Sequence, residues 1–362
     1  MADEPRIAIA GAGLGGLVCA RVLQLHGHPV TVFEREPGPG ARSQGGTLDM
    51  HPDSGQAALR TAGLLDVFTA LARPDGQQSR LLDAATGTVQ DQPDAEFSAG
   101  PEIDRGLLRA LLLDSLADGT VRWGRGVGRV HAGAAGGTRV EFLDGTSETF
   151  DLVVGADGAW SRVRPAVSPA VPTYSGVTFV ETWLEEDRHA EVVRLVGHGT
   201  MFAVMPGTGL IAQRNSGGRV QVFLALRRRA DWAAAAGLDL ADAAATRAHL
   251  LSLLDSWHES LRAFIRHSDS GFVDRPLFVL PAPHLWDHVP GVTLLGDAAH
   301  LMPPLGVGAN LAMLDGAELA TAIAAEATVD DAVRAYERVM LPRSGETAKE
   351  CVEGLDDLLP AA

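Results

Sequence analysis

Residues 6–35 carry the pattern that most limits what this chain can fold into. Arg6–Ala10 (R-I-A-I-A) is a short apolar run, and Gly11-Ala12-Gly13-Leu14-Gly15-Gly16 follows it directly. From Leu14 to Gly27 apolar residues recur at helical spacing, and Pro29–Arg35 (P-V-T-V-F-E-R) is β-branched and strand-like. Strand, glycine turn, helix and strand within about thirty residues predict a βαβ unit. Each glycine has a task in such a unit. Gly11 permits the tight turn, Gly13 lets a pyrophosphate approach the backbone, and Gly16 lets helix and strand pack closely, while the helix opening at Leu14 and Gly15 offers its N–H groups to an anion. Glu34 closes the second strand 18 residues after Gly16, where a carboxylate can accept hydrogen bonds from ribose hydroxyls. The spacing predicts a bound dinucleotide and leaves FAD and NAD equally open.

The remaining composition excludes several classes. A chain of 362 residues has room for two domains, and 46% hydrophobic residues rule out a disordered chain. A net charge of −16 argues against nucleic acid and anionic membrane as partners. Cys19 and Cys351 stand at opposite ends of the chain and form no disulfide framework. No run of 18 apolar residues occurs, and the segment before Ile7 lacks the positive character of a signal peptide, so a cytoplasmic protein is expected. No His/Asp/Glu set has metal-ligand spacing, and His51 and His198 read as loop histidines.

Further along, Leu107–Leu116 reads as a helix, with strands at Val121–Trp123, Arg139–Leu143 and Asp151–Gly155 and a hairpin turn at Asp144-Gly145. Between Ser168 and Phe272 the texture changes to strands such as Val192–Val196, Leu210–Gln213 and Val220–Leu226, followed by a helical stretch, Leu240–Arg266. This predicts an inserted, mostly antiparallel sheet. Val292–Gly296 is another buried strand, Ala309–Ala325 a long helix, and residues 330–359 read as two more helices.

Two more segments favour FAD. Asp151–Arg164 (D-L-V-V-G-A-D-G-A-W-S-R-V-R) is a strand ending in Asp157-Gly158. Gly296–Asn310 (G-D-A-A-H-L-M-P-P-L-G-V-G-A-N) is a strand end with Asp297, then a glycine loop at a helix N-terminus. An Asp at the carboxyl end of a parallel strand can hold a polyol such as ribitol, and the helix that follows directs its positive end at an anionic ring.

Together the three segments resemble the single-component FAD-dependent aromatic hydroxylases of the para-hydroxybenzoate hydroxylase type. Within that group the likeness is closest to the tetracycline-inactivating flavin monooxygenases, through Gly45–Leu65, Pro101–Leu116 and Gly296–Pro304. The resemblance implies an α/β fold: a Rossmann-like FAD-binding domain of the glutathione-reductase type, an inserted mostly antiparallel substrate domain, and a C-terminal helix. The expected boundaries are 1–72, 97–167 and 272–340 for the discontinuous FAD-binding domain, 73–96 and 168–271 for the substrate domain, and 341–362 for the helix.

Carried onto this sequence, the resemblance gives Gly11, Gly13 and Gly16 to the pyrophosphate, Glu34 to the adenosine ribose and Arg35 to the adenine end. Arg105 approaches the ribityl and diphosphate region, and Asp297 holds it. Arg42, Gly45 and Gly46 lie at the isoalloxazine edge, the loop from Pro304 through Gly308 and Ala309 to Asn310 lines the ring, and Asp157 belongs to a motif shared between FAD and NADPH. That loop is one residue shorter than the family's P-x-x-G-Q/E-G-x-N and has Val307 at the polar position. The implied chemistry is reduction by NADPH or NADH, docking transiently, then oxygen addition at flavin C4a and transfer from the hydroperoxide to the substrate. No side chain is assigned a catalytic role.

Substrate contacts are expected from the inserted sheet, with Glu181, Gln213, Gln221 and Phe223 as candidates. Gly199–Leu224 lacks the histidines and arginines that grip tetracycline in the resembling enzymes, which points to another phenolic, enolic or polyketide-like small molecule. A monomer or weak dimer is expected. The alternatives are a flavin oxidase or dehydrogenase, a Baeyer–Villiger enzyme, or a flavin-free dinucleotide-binding scaffold. A halogenase of this fold needs an active-site lysine, and the only lysine here is Lys349, near the C-terminus.

Overall fold

The computed structural model describes residues 4–41, 45–91, 100–133 and 137–361. Its central layer is a five-stranded parallel sheet in the order Val292–Leu294, Leu152–Gly155, Ile7–Ala10, Val30–Phe33, Val121–Arg122. Ile7–Ala10 and Leu152–Gly155 are buried along their whole length, as strands covered on both faces must be, which is why they read as unbroken apolar runs. Helices Leu14–Leu25 and Gly308–Ala325 cross through small residues. A Cβ on Gly15 would stand 2.4 Å from the Ala312 carbonyl oxygen, and one on Gly316 would stand 2.3 Å from that of Gly15. A three-stranded antiparallel sheet (Val127–His131, Thr138–Phe142, Ser147–Phe150) is tied to the parallel sheet by Phe33, whose ring lies 4.7 Å from that of Phe142 and 5.6 Å from that of Phe150.

The second layer is a seven-stranded sheet in the order Val273–Val279, Thr173–Glu185, Arg219–Arg227, Thr208–Asn215, Thr200–Met205, Ser79–Leu82, Val89–Asp91. It is antiparallel except where Thr200–Met205 meets Ser79–Leu82. Alternation along its strands gives it two unlike faces. Val180, Leu184, Val220, Val222, Leu224, Met201 and Ala203 bury against Leu250, Leu261, Phe264 and Ile265 of two covering helices. The opposite face carries Glu181, Gln221, Gln213 and Phe223 and turns toward the first layer.

Several elements differ from the sequence expectations. Val192–Val196 is helix, within Ala190–Val196, because Val193 and Val196 bury together at helical spacing and Gly197 ends the turn with φ 76°. The stretch Leu240–Arg266 divides into Ala243–Leu253 and Glu259–Arg266, the second started by the His258 ring accepting from the Ser260 N–H. Residues 330–359 form one helix, Val329–Leu358, that runs through Pro342. Burial of Met340, Ser344 and Gly345 on either side holds it together where local propensity would end it. The strand Val273–Val279 pairs with Thr173–Glu185 and lies beyond the expected boundary at 271. The long helix joins the two layers: Ala332, Val333, Tyr336 and Met340 bury in the first core, and Leu355 with the following Leu359 packs on Val177, Phe179 and Ala225 of the large sheet. No helix among the described residues is long and apolar enough to cross a membrane.

Candidate functional site

The glycine loop is shaped by backbone contacts. Gly11 has φ 103°, donates to the Phe33 carbonyl at 2.8 Å, and would place a Cβ 2.4 Å from the Ala156 carbonyl oxygen. A Cβ on Gly16 would stand 2.4 Å from the Gly11 carbonyl oxygen. Gly13 differs: its backbone is extended, and a Cβ there would meet nothing closer than 3.9 Å. No side chain caps the helix that begins at Leu14, and no acidic residue lies in its first turn, so the positive end of its dipole is not neutralised by its own side chains. Glu34 sits at the lip, Oε2 accepting from the Ala12 N–H at 2.8 Å and Oε1 from the Glu36 N–H at 3.0 Å. Arg35 is exposed beside Gly126.

Arg109 is a site residue that the sequence reading missed. It is 5% exposed, donates from Nε to the Ala12 carbonyl at 3.0 Å and from Nη1 to that of Pro39 at 2.9 Å, and pairs with Glu36. The available signal was an arginine between Leu108 and Leu112 in an apolar helical stripe. Arg105, one turn earlier, is exposed and donates its main-chain N–H to Gly46 at 3.1 Å. Arg42 lies outside the described residues.

Asp157 follows the strand Leu152–Gly155. Its Oδ2 accepts from the Arg162 N–H at 2.7 Å, its Oδ1 is buried without a hydrogen-bond partner, and burial pushes its pKa up. Asp297 is exposed at the start of a short helix, Asp297–His300. Behind it, Asp315 accepts from the Gly296 N–H at 3.0 Å and from His300 Nε2 at 2.6 Å, and pairs with Arg343 at 2.9 Å. Burial opposes charge on both His300 and Asp315. Their mutual attraction outweighs it, raising the histidine above its ordinary value and lowering the carboxylate below its own.

In the loop before Gly308–Ala325, Pro304 and Gly306 are exposed, and a Cβ on Gly308 would meet nothing within 4 Å. Asn310 is 1% exposed and its amide is fully used. Its Oδ1 accepts from the His51 N–H at 2.9 Å and the Gly55 N–H at 3.2 Å, and its Nδ2 donates to the carbonyls of Asp49 at 2.8 Å and Gly306 at 3.1 Å. The side chain staples the loop to residues 49–55.

The four sheet candidates share one face, and most of their polar atoms are engaged. Glu181 accepts from Gln221 Nε2 at 2.7 Å, Trp183 Nε1 at 3.2 Å and Arg275 Nε at 2.9 Å. Gln221 Oε1 is buried, has no partner, and lies 3.1 Å from where a Gly46 Cβ would stand, so this face meets the Gly46 loop. The Gln213 side chain bonds Glu102, a carboxyl that burial pushes up to about 7. Phe223 packs on Phe179 with ring centroids 5.6 Å apart.

An open glycine backbone at Gly13, a carboxylate at its lip and two uncapped helix N-termini suit a long anionic dinucleotide such as FAD. The fold and the glycine turn are those of a dinucleotide-binding protein. The chain belongs to the family of the FAD binding domain, which matches residues 4–231 and 288–349, and it is an FAD-dependent monooxygenase of the single-component aromatic hydroxylase group.

Among its relatives, Monooxygenase penA of Penicillium thymicola is 32% identical over 96% of this chain and 94% of that protein. The 3-amino-4-hydroxybenzoate 2-monooxygenase of Streptomyces cremeus is 30% identical over 94% and 84%. In fold, the chain is similar to Klebsiella pneumoniae HpxO complexed with FAD and uric acid (TM-score 0.84, 24% identity, 99% of this chain and 90% of that one). It is also similar to the tetracycline destructase Tet(51) (TM-score 0.72, 20% identity, 99% and 92%).

Proposed function

We propose that this monooxygenase uses NADPH or NADH and O2 to hydroxylate a phenolic, enolic or polyketide-like small molecule. The observation that carries the reading is the polar face of the seven-stranded sheet, which lies against the Gly46 loop through Gln221 and against Glu102 through Gln213. In this reading the substrate would lie between that face and the loop Pro304–Asn310. The names of two relatives support the substrate class: one acts on a hydroxybenzoate, and the HpxO structure holds uric acid.

In this reading Gly11, Gly13 and Gly16, with the N–H groups of Leu14 and Gly15, take the pyrophosphate, and Arg109 holds the loop in place from behind. Glu34 takes the adenosine ribose with Arg35 near the adenine, Asp297 and Arg105 take the ribityl and diphosphate region, and Asp157 stands beside Gly11. The N–H groups of Gly308 and Ala309 would lie toward the ring and favour negative charge on it. When bound, FAD supplies two-electron reduction by the nicotinamide and activation of oxygen. The residues contribute binding, orientation and exclusion of water.

The test is a screen of hydroxybenzoates, hydroxypyridines, purines and quinolones against the yellow holoenzyme. NAD(P)H oxidation, O2 uptake and hydroxylated product should appear in equal amounts. Substrate oxidation without NAD(P)H would replace the reading with an oxidase, and ring expansion to an ester or lactone would replace it with a Baeyer–Villiger enzyme.

A further inference from the structure

Asp49 and His51 have no role in the reading above, yet their placement is specific. The strand Thr47–Asp49 pairs antiparallel with Glu102–Asp104, so Thr47 and Asp49 share a face while Leu48 packs against the core. The Asp49 carboxylate lies beside the ring loop: a Cβ on Gly306 would stand 3.5 Å from its Oδ2. His51 Nε2 is 2.9 Å from the same oxygen. Asn310 holds the main chain of both residues, through the Asp49 carbonyl and the His51 N–H. Both side chains nevertheless remain partly open, His51 at 36% and Asp49 at 39% exposure. The pair is thus fixed at its backbone and reachable at its functional end. An ionised carboxylate only accepts, so the imidazole turns its Nε2–H to Asp49 and leaves Nδ1 as the basic nitrogen.

From this geometry we propose that the Asp49–His51 pair is the proton acceptor of the site, taking the hydroxyl proton of a phenolic or enolic substrate. The inference rests on the hydroxylase reading above and deepens it. The substrate O–H bond breaks, its electron pair stays on oxygen and enriches the carbon to be hydroxylated, and the proton comes to rest on the imidazole. The imidazolium charge is then balanced by Asp49. Among the described residues the charged neighbours are few. Glu102 faces Asp49 across the strand pair, with Arg73 3.7 Å from Glu102 and 3.1 Å from Asp104. Asp53 follows on the same loop, and the helix Gly308–Ala325 presents the uncharged Asn310. The hydrogen bond to Asp49 lifts the His51 pKa above its ordinary value against the opposing effect of partial burial.

The experiment takes the FAD-loaded full chain and one phenol from the screen that accelerates NAD(P)H oxidation, and follows kcat/KM against pH. Wild type should lose activity as pH falls through the imidazole pKa. His51→Gln should lower kcat/KM about a hundredfold on the alkaline side and abolish that acid limb. Asp49→Asn should keep a limb but move it to lower pH, because the bond that raises the imidazole is gone. A histidine-labelled NMR titration without substrate should show the same displacement of the His51 midpoint between wild type and Asp49→Asn. An unmoved acid limb in His51→Gln overturns the proposal, whether kcat/KM stays at the wild-type value or falls together with FAD content and Tm. A wild type in which no phenol stimulates NAD(P)H oxidation is a different result, and it removes the hydroxylase reading itself.

Discussion

The glycine loop and the ring loop are both helix N-termini, on two helices packed against each other, yet they are built by opposite means. At the first, shape comes from missing side chains: Gly11 and Gly16 leave no room for a methyl group against backbone oxygens. At the second, Gly308 has open space around it, and shape comes from a side chain, the Asn310 amide with its four hydrogen bonds. Behind that loop stands a charged group, the buried pair His300–Asp315 with the half-buried Arg343. Steric necessity allows one shape, whereas a hydrogen-bonded staple can be weakened by degrees. The two ends of the proposed cofactor site should therefore fail differently.

Gly11→Ala tests the first end most severely. A Cβ 2.4 Å from a carbonyl oxygen, on a residue at φ 103°, should cost about 2–4 kcal/mol and remove flavin, read as lower Tm and a colourless protein. Asn310→Ala tests the second. Loss of a buried amide strands the N–H groups of His51 and Gly55, for about 2–3 kcal/mol, with the flavin retained but its visible spectrum altered. A fully colourless Asn310→Ala would erase the distinction.

His300→Gln should lower Tm by an amount that depends on pH. His300 is raised in the fold, so its contribution is complete below its unfolded value of 6.5 and fades as pH rises through the folded one. Asp315 is lowered, so its contribution is complete above 3.8 and fades as pH falls through the folded one. The stability gap to wild type, followed through Tm, should thus be widest between these values, at about 1–3 kcal/mol, and narrow on both sides. A gap that widens in alkali would mean that the pair is not charged. The smallest effects on folding belong to Gly13→Ala and Asp297→Ala, with stability within about 0.5 kcal/mol of wild type. Both should still lower flavin content, and normal flavin content in both would misplace the cofactor.

How legible each part was in the sequence follows the same division. The turn at Gly11–Gly16, the strand Leu152–Gly155 ahead of Asp157 and the strand end ahead of Asp297 could be read directly, because glycine sterics and buried apolar runs act over a few residues. The four candidates Glu181, Gln213, Gln221 and Phe223 fell on one sheet face because alternation is also a local rule. Local rules failed where packing overrode them. Val192–Val196 is β-branched yet helical, and Pro342 sits inside a helix that its neighbours bury.

What the sequence determined by itself was the βαβ turn at Gly11–Gly16 and the buried parallel strands beside it. Tertiary structure alone decided that Asn310 would hold His51, 259 residues away, that Arg109 would brace the Ala12 carbonyl, and that Asp49 and His51 would meet at the ring loop. The physical reason is range. Backbone sterics and periodicity are properties of neighbouring residues, while a hydrogen bond between distant segments has no local signature until the two cores have brought its partners together.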